Sequence, residues 1–582
     1  MPRQSMKAET VAEAYLALLK DRGVDYLFGN AGTDFASVIE ALAKAGSGAS
    51  RAPTPITVPH ENVAVAMAHG YYLATGRPAA VMVHVTVGTA NAVCGVMNAA
   101  RENVPILFTA GRTPISEEGP AGTRSLYIHW GQEMFDQGGM VRELVKWDYE
   151  LRRADQVETV VDRAITVAMS EPRGPIYLTL PREVLAADAS AVAFDSPARR
   201  AAAHPAAPDA EAIDRAADIL AKAANPLIIV ASAGQNRATV PALSQLAERF
   251  ALPVVAYRPR YVNLPSDHPM LIGYESGAAI KDADAILIID CDVPWIPSLH
   301  KPRADAKVIQ IGADPMFSRY PLRGFPCDLA ITGSSALALP ALTNALETRE
   351  KAMAAGIAAR RKRVAEAKEK AAGARKATLV SAAKAAPLHL AHVADCINAV
   401  KGADDVVVSE SQLPLAHISF TKPGTLFSLS PAGGLGWGLG CALGVKLGAP
   451  ERTVYSVVGD GSYMFGNPTP AHYVSAANEL PVLTVILNNA MWGSVRKATL
   501  GIHPDGAAAK ANRAPLTYLE PSPAYHKVVE ASGGYGEEVR TPDQLPKALE
   551  RGLKAVTVDK RPAVLNVHTS YDDAAALADA RR

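Results

Sequence analysis

Oxygen-bearing side chains and glycines follow two apolar strands near the carboxyl end of the sequence, in a pattern that suits a hard cation and a diphosphate. The first predicted strand runs into Gly459, Asp460, Gly461 and Ser462, and the second, LPVLTVIL, leads to Asn489. Because the carboxyl ends of parallel strands meet at one edge of a sheet, we expect the carboxylate and the amide to lie close together. Hard divalent cations prefer such oxygen ligands, while glycines and a helix N-terminus allow a diphosphate to approach the backbone. The pattern predicts an octahedral oxygen site for a hard divalent cation beside a diphosphate.

The elements that position these residues belong to a large α/β protein. Short apolar runs alternate with helical pattern in three successive segments, which indicates parallel sheets. A chain of 582 residues is too long for one hydrophobic core. We therefore predict an α/β fold with three doubly wound parallel-sheet domains. They cover residues 1–186, 209–345 and 388–572, with a charged helical linker over 346–387.

The charge balance and the cysteine pattern exclude several classes of protein. Lys and Arg number 59 against 58 Asp and Glu, which gives no reason to expect nucleic acid or a membrane as a partner. The five cysteines are scattered without a CxxC pair, so no disulfide framework is expected. No stretch approaches the roughly 20 apolar residues of a membrane span, and the N-terminus lacks a signal-peptide pattern. We expect a cytoplasmic protein whose partners are small molecules.

Three further stretches extend the pattern to a known family. PAGGLGWG covers residues 431–438, PHEN covers 59–62, and NAMWGSVR begins at Asn489. Together with GDGS they resemble the thiamine-diphosphate-dependent enzymes of the benzoylformate decarboxylase and acetolactate synthase type. The resemblance extends over nearly the whole chain, in the order pyrimidine-binding, middle and diphosphate-binding domain. It implies thiamine diphosphate and Mg²⁺ as cofactors.

The resemblance implies a role for each part of the cofactor site. Glu61 would hydrogen-bond the pyrimidine ring and favour the imino form of its amino group, and Leu435 would force the two cofactor rings into a V shape. Mg²⁺ would be held by Asp460, Asn489 and the carbonyl oxygen of Met491. The other cofactor contacts would come from residues of the diphosphate-binding domain: Glu410, Ser411, Gly434, Gly459, Gly461, Ser462, Trp492 and Gly493.

Two histidines and three smaller side chains are candidates for contact with the substrate. His84, in VMVHVTVGTANA, matches an active-site histidine of benzoylformate decarboxylase that relays protons, and we expect the same role here. His300 is a candidate for a second proton relay that reaches in from the middle domain. Thr33 would contact the substrate. Ser494 and Val495, just past the metal loop, would line a pocket with room for a bulky group.

Several reactions are compatible with this cofactor machinery. We expect a 2-oxo acid decarboxylase with carboligase ability, because His84 matches the decarboxylase and the Ser-Gly-Pro-Gly sequence of the synthases is absent. The alternatives are an acetolactate-synthase-like carboligase, a 2-hydroxy ketone lyase and a 2-hydroxyacyl-CoA lyase, for which the run 360–363 would bind the anion; that run is otherwise a solvated linker helix. A non-catalytic cofactor-binding homologue is disfavoured by an intact Glu61. The resemblance also implies a homodimer at minimum, and we expect a homotetramer.

Overall fold

The structure, a computed structural model, describes residues 8–46, 51–190, 192–196 and 198–571. Over these residues the strands form three parallel sheets of six strands each, and helices flank every sheet. The predicted α/β fold with three parallel-sheet domains is confirmed. The first seven residues of the first predicted domain and the last residue of the third lie outside the described residues.

The first domain is a sheet with the strand order β2-β1-β3-β4-β6-β5. Its strands are β1 (Tyr26–Asn30), β2 (Thr54–Thr57), β3 (Ala80–Val83), β4 (Leu107–Arg112), β5 (Asp148–Glu150) and β6 (Ile176–Pro181). Its helices are α1 (Val11–Asp21), α2 (Ala36–Ala45), α3 (Glu61–Thr75), α4 (Val85–Arg101), α5 (Ile128–Gly131), α6 (Val157–Met169) and α7 (Arg182–Ala186). Apolar clusters cover both faces of the sheet, and Ala189 and Phe194 are buried in one of them. The core of the first domain therefore continues past the predicted boundary at 186.

The middle domain has the strand order β12-β11-β10-β7-β8-β9, a doubly wound arrangement. Its strands are β7 (Pro226–Val230), β8 (Val254–Ala256), β9 (Leu271–Gly273), β10 (Ala285–Ile289), β11 (Lys307–Gly312) and β12 (Leu329–Thr332). Its helices are α8 (Ala210–Lys222), α9 (Thr239–Arg249), α10 (Gly277–Asp282), α11 (Ser335–Glu347) and α12 (Glu350–Ala382). A cavity of about 460 Å³ lies between the carboxyl ends of its strands and the first domain. Its lining includes Ser232, Asp290, Ser335 and Arg173.

The third domain repeats the relative strand order of the first, as β14-β13-β15-β16-β18-β17. Its strands are β13 (Val406–Glu410), β14 (Leu426–Ser428), β15 (Val454–Gly459), β16 (Leu483–Asn488), β17 (Tyr535–Val539) and β18 (Ala563–His568). Its helices are α13 (Leu390–Val400), α14 (Trp437–Gly448), α15 (Asp460–Phe465), α16 (Pro468–Ala477), α17 (Gly493–Ile502), α18 (Ala507–Lys510) and α19 (Leu545–Thr557). Among the helices of the described ranges, none combines the length and the apolar character that a membrane span requires.

Helices α3 and α14 join the first domain to the third. Both are rich in alanine and glycine, and a side chain at Gly70, Gly440 or Gly444 would lie under 3.0 Å from atoms of the opposite helix. The contacts run in parallel, with Gly440 near Val63 and Gly444 near Met67. The helices that begin at the PHEN and AGGLGWG segments therefore pack main chain against main chain.

The predicted linker over 346–387 is largely the 33-residue helix α12. Two of its apolar side chains are buried in the core of the middle domain. Arg360, which is also buried, donates hydrogen bonds to the main-chain carbonyls of Phe250 and Ala251, and Arg361 donates to another carbonyl at the end of α9. The three carbonyls lie at or just past the C-terminal end of α9, a region whose main-chain acceptors are commonly bound by side chains. Two of the four basic residues at 360–363 therefore bind the end of a helix in the same chain, and their charges are not free to bind an external anion.

Candidate cofactor site

The carboxyl ends of β15 and β16 carry the predicted metal ligands. The two strands pair in parallel, with Gly459 opposite Leu487, so the residues that follow each strand are neighbours. Asp460 is 4% exposed and accepts a hydrogen bond from the Gly461 N–H at 2.8 Å. The main chain of Met491, in the loop after β16, approaches the same carboxylate. The predicted neighbourhood of Asp460 and this loop is present in the structure.

The buried carboxylate of Asp460 fits a cation ligand. Its Oδ2 atom is buried without a hydrogen-bond partner among the described residues, and burial raises the pKa of Asp460. An ionised carboxylate in such a place needs a compensating positive charge. Asn489 Oδ1 accepts from the Met491 N–H at 3.1 Å, which orders the loop. One carboxylate, one amide and one carbonyl form the donor set that a hard divalent cation prefers.

Glycines near Asp460 let aromatic rings pack directly against the main chain. A side chain at Gly461 would overlap the ring of Trp492, and one at Gly493 would overlap the ring of Tyr571. Tyr571 donates a hydrogen bond to the Gly493 carbonyl at 2.8 Å, and Phe465 packs edge-on against Trp492. These ring contacts fix the course of the loop around Asp460, and only glycine leaves room for them.

Glu410 fixes the loop that precedes α14. Both of its carboxylate oxygens accept main-chain hydrogen bonds, from Gly436 N–H at 2.7 Å and Gly438 N–H at 2.5 Å. Burial raises the pKa of Glu410 to about 7, and the Ser462 hydroxyl also contacts the carboxylate. Gly436 has φ +91°, a conformation that favours glycine. Glu410 thus holds this loop, next to Ser411, and its contact with the cofactor stays a prediction.

Helix α4 of the first domain binds the same loop from the other side. Asn98 donates to the Gly434 carbonyl at 2.7 Å and accepts from the Gly434 N–H at 3.1 Å. The Cys94 thiol lies 4.0 Å from the carbonyl oxygen of Leu435. The half-buried Leu435, the predicted wedge, is thereby fixed at the junction of the first and third domains.

Glu61 is the first residue of α3 and is only 7% exposed. Its Oε2 accepts a hydrogen bond from the Asn91 side chain at 3.2 Å. A side chain at Gly88 would lie 3.3 Å from Oε1, so α4 passes directly over the carboxylate. His60 caps the helix by accepting from the Asn62 N–H. The carboxyl group expected to serve as an acid is thus buried at a helix start, with a polar partner on α4.

His84 follows the last residue of β3 and is the N-cap of α4. Its Nδ1 lies 2.5 Å from Asp34 Oδ1, and its Nε2 lies 3.1 Å from the side-chain nitrogen of Gln132. The hydrogen bond with Asp34 raises the pKa of His84, against the opposing effect of burial, and Glu61 adds a smaller contribution. A half-buried histidine with this environment is suited to exchange protons near neutral pH.

The other predicted substrate contacts are spread over the molecule. Thr33 is exposed, Val495 is 51% exposed, and Ser494 accepts a long hydrogen bond from Gln412. His300 lies in the middle domain, where its ring packs over Gly277. These residues belong to three different domains, and their contact with substrate stays a prediction.

Three polar side chains of the site were not predicted from the sequence. Asp34 follows the glycine turn after β1, directly after Thr33, which was the residue predicted to contact the substrate. Asn91 and Asn98 are seven residues apart and therefore share one face of α4. That spacing, within a helix of small residues, is the signal that could have identified them.

Models of protein families match the chain in three places. Residues 9–140 match the thiamine pyrophosphate enzyme N-terminal TPP binding domain, residues 213–342 the central domain and residues 408–567 the C-terminal TPP binding domain. Thiamine pyrophosphate (TPP) is a synonym of thiamine diphosphate. The matches follow the order of the three sheets.

Similar proteins cover almost the whole chain. Benzoylformate decarboxylase of Pseudomonas aeruginosa is 27% identical, over 84% of this chain and 87% of its own length. The "Probable 2-ketoarginine decarboxylase" of the same species is 29% identical, over 95% and 93%. The acetolactate synthase large subunit of Haemophilus influenzae is 25% identical, over 95% and 94%. The crystal structure of benzoylformate decarboxylase from Polynucleobacter necessarius has the same fold, with a TM-score of 0.77 at 21% identity over 97% of this chain and 99% of that one.

Proposed function

The chain belongs to the thiamine pyrophosphate enzyme family, and from that premise we propose that it is a 2-oxo acid decarboxylase with carboligase ability. Two of the relatives are named as decarboxylases of 2-oxo acids, and His84 stands where the resemblance to benzoylformate decarboxylase expects a proton relay. The proposal includes Mg²⁺ as the ion that anchors the cofactor.

The observation that carries the proposal is the burial of the Glu61 carboxyl group at the start of α3. A binding protein has no use for a carboxyl group buried at a helix start, whereas an enzyme of this kind needs one to share a proton with the pyrimidine ring. Glu61 is 7% exposed, has one polar partner, Asn91, and lies in the part of the chain matched as a TPP binding domain. A non-catalytic homologue is therefore the weaker alternative.

Each half of the site has a defined task in this proposal. Asp460, Asn489 and the Met491 carbonyl would hold Mg²⁺, which would neutralise the charge of the diphosphate. Leu435 would support the bound cofactor. The bound cofactor supplies an electron sink for the carbon that loses CO₂. His84 gives and takes protons at the substrate, and His300 is a second candidate for this task. Ser494 and Val495, just past the metal loop, leave space for the substrate, and Thr33 contacts it.

Geometry within one chain supports a homodimer at minimum, and we propose a homotetramer. The loop that contains Leu435 contacts α4 at Cys94 and Asn98. These contacts lie about 15–20 Å along the helix from His84, at 1.5 Å per residue. The hydrogen bonds of Glu61 and His84 lie within the first domain. A second copy would supply the loop and metal site that face His84; for Glu61, whose partner Asn91 lies three residues before Cys94, the shared site follows from the family resemblance.

Subunit complementation tests this arrangement. Glu61→Gln and Asp460→Asn each remove one half of the site, so each variant alone should be inactive. When the two variants are co-expressed, activity should partly return, because mixed dimers contain one intact site. A mixture that stays inactive, although the variants associate, would contradict a site shared between chains.

The main experiment is a substrate panel with purified protein. CO₂ release from aryl and branched 2-oxo acids should require both thiamine diphosphate and Mg²⁺, and a chelator should abolish it until Mg²⁺ is added back. Glu61→Gln should lower turnover by about 10²–10⁴-fold, the range for loss of a proton-transfer group, whereas Glu40→Gln, an exposed carboxylate of the same domain, should leave it unchanged. A panel without CO₂ release would reject the decarboxylase.

The alternatives are tested with the same protein. An acetolactate-synthase-like carboligase would join two 2-oxo acids, and a 2-hydroxy ketone lyase or 2-hydroxyacyl-CoA lyase would cleave its substrate to an aldehyde without loss of CO₂. The CoA version is weakened because Arg360 and Arg361 cap helix α9. Cleavage of these substrates combined with a negative 2-oxo acid panel would establish a lyase.

A further inference from the structure

A buried carboxylate stands behind the imidazole of His84. Asp34 is 2% exposed, and its Oδ1 lies 2.5 Å from His84 Nδ1. We propose that Asp34 is a positioning residue that keeps a proton on Nδ1 and leaves Nε2 as the atom that exchanges protons with the substrate. The inference rests on the proposed function only in that His84 is the proton relay; the contact itself is independent of the reaction.

Two glycines make room for the pair. A side chain at Gly111, in β4, would overlap the Asp34 carboxylate, and a side chain at Gly32 would overlap the His84 ring. In a close-packed interior, any larger residue at either position would push the two groups apart. The chain therefore leaves space on both sides of this hydrogen bond.

The same carboxylate also controls the start of α4. Asp34 Oδ2 accepts from the Val85 N–H at 3.3 Å, and Val85 has φ +33°, a conformation that is strained for a β-branched residue. The positive end of a 17-residue helix disfavours a protonated histidine beside it. A negative charge on Asp34 offsets that effect and holds the strained residue in place.

Glu61 and His129 are two other titratable groups that interact with His84. Glu61 on α3 acts in the same direction as Asp34 on the pKa of His84, but more weakly. His129 on α5 is buried, and burial lowers its pKa, so it is neutral where His84 titrates. Asp34 is thus the main electrostatic partner of the ring.

Gln132 completes the arrangement on the Nε2 side. Its side-chain nitrogen lies 3.1 Å from Nε2. Its main-chain carbonyl accepts a hydrogen bond from the Thr86 hydroxyl at 2.8 Å, and this bond connects the loop to α4. An amide can donate an N–H to the neutral ring or, after rotation, accept from the charged ring. Gln132 can therefore accompany His84 through both protonation states.

The test follows the ring itself by NMR, with ¹⁵N- and ¹³C-labelled histidine in the full-length protein and His84→Gln to assign the signal. The neutral ring of His84 in the wild type should carry its proton on Nδ1. In Asp34→Asn the titration midpoint of His84 should fall by about one pH unit or more, the effect of losing an adjacent opposite charge. Asp162→Asn, which removes another buried carboxylate of the first domain, should leave the midpoint unchanged.

Each outcome decides one point. A neutral ring protonated on Nε2 in the wild type would overturn the inference even if Asp34→Asn fails to fold. An unchanged midpoint in a folded Asp34→Asn protein would overturn it as well. Kinetics give the second arm: Asp34→Asn should lower kcat more than it changes KM and should move the pH limb of His84 by the same amount. Absence of turnover on every substrate would refute the proposed function. The NMR measurements would still decide whether Asp34 sets the protonation of His84.

Discussion

Gly444 is the position where a single methyl group should disturb both stability and activity. A Cβ at this residue would lie under 3.0 Å from the Met67 carbonyl oxygen and 2.8 Å from the Tyr71 nitrogen. Both atoms belong to the main chain of α3, so neither can rotate away as a side chain would. Helices α3 and α14 would have to separate, and the contact between the first and third domains would loosen. We predict that Gly444→Ala is destabilising.

The magnitude follows from comparison with a second helical glycine. Gly373 lies in α12 with no atom within 4 Å of its Cβ position, so Gly373→Ala should gain about 0.5–1 kcal/mol from helix propensity alone. Gly444→Ala gains the same term but suffers overpacking of about 1–3 kcal/mol. The two variants should therefore differ by about 1–3 kcal/mol, or about 2–12 °C in Tm at 2–4 °C per kcal/mol for domains of this size.

Scanning calorimetry and turnover measurements test the two consequences together. Since α3 begins at Glu61, a displacement of about 1 Å should lower turnover by about 10²-fold, whereas Gly373→Ala should keep full activity. Equal unfolding temperatures and equal turnover in the two variants would refute the reasoning, because they would mean that α3 and α14 do not touch as closely as described.

Three further predictions concern buried ionisable groups. Burial raises the pKa of Glu410 from 4.5 to about 7, so the free energy of unfolding of the wild type should fall by about 3 kcal/mol as the pH rises from 4.5 to 7. The Glu410→Gln protein should lack the corresponding fall in Tm, and a variant that still shows it would contradict the prediction. Burial lowers the pKa of His69 from 6.5 to about 3, so protonation favours the unfolded chain as the pH falls below 6.5. At pH 5 the wild type should therefore lose about 2 kcal/mol of its free energy of unfolding, a loss that His69→Phe should not show. Arg360→Ala should destabilise the middle domain in urea by about 3 kcal/mol through two lost charge-assisted hydrogen bonds, whereas Arg363→Ala, an exposed neighbour, should have no effect.

The sheet edge that carries the proposed metal ligands could be predicted because it depends on local pattern. Each ligand follows an apolar run long enough for one strand, and adjacent parallel strands bring such positions together. The register of β15 with β16 places Gly459 opposite Leu487, one and two residues before Asp460 and Asn489. The three-sheet fold was predictable for the same reason, since buried parallel strands are written as continuous apolar runs.

Contacts between distant side chains could not be predicted in this way. Asp34 and His84 are 50 residues apart, and an aspartate after a glycine turn is equally typical of a solvated loop. Glu410 ends a strand, where the family pattern suggests a ligand contact, but two main-chain N–H groups bind it first. Arg360 looks like one of several exposed charges until the end of α9 is placed beside it. In each case the partner is fixed by packing, which periodicity does not encode.

Helix α4 explains why these groups must be considered together. His84 precedes it, Asn91 contacts Glu61, and Asn98 binds the loop that carries Leu435. The three positions are seven residues apart, close to two helical turns, so they share one face at intervals of about 10 Å. A shift of α4 along its axis would displace His84, the Asn91 contact of Glu61 and the loop with Leu435 at once. The close packing of small residues around α3 and α4 is therefore a condition for the chemistry as well as for folding, because it fixes the distances among groups that no single loop could hold.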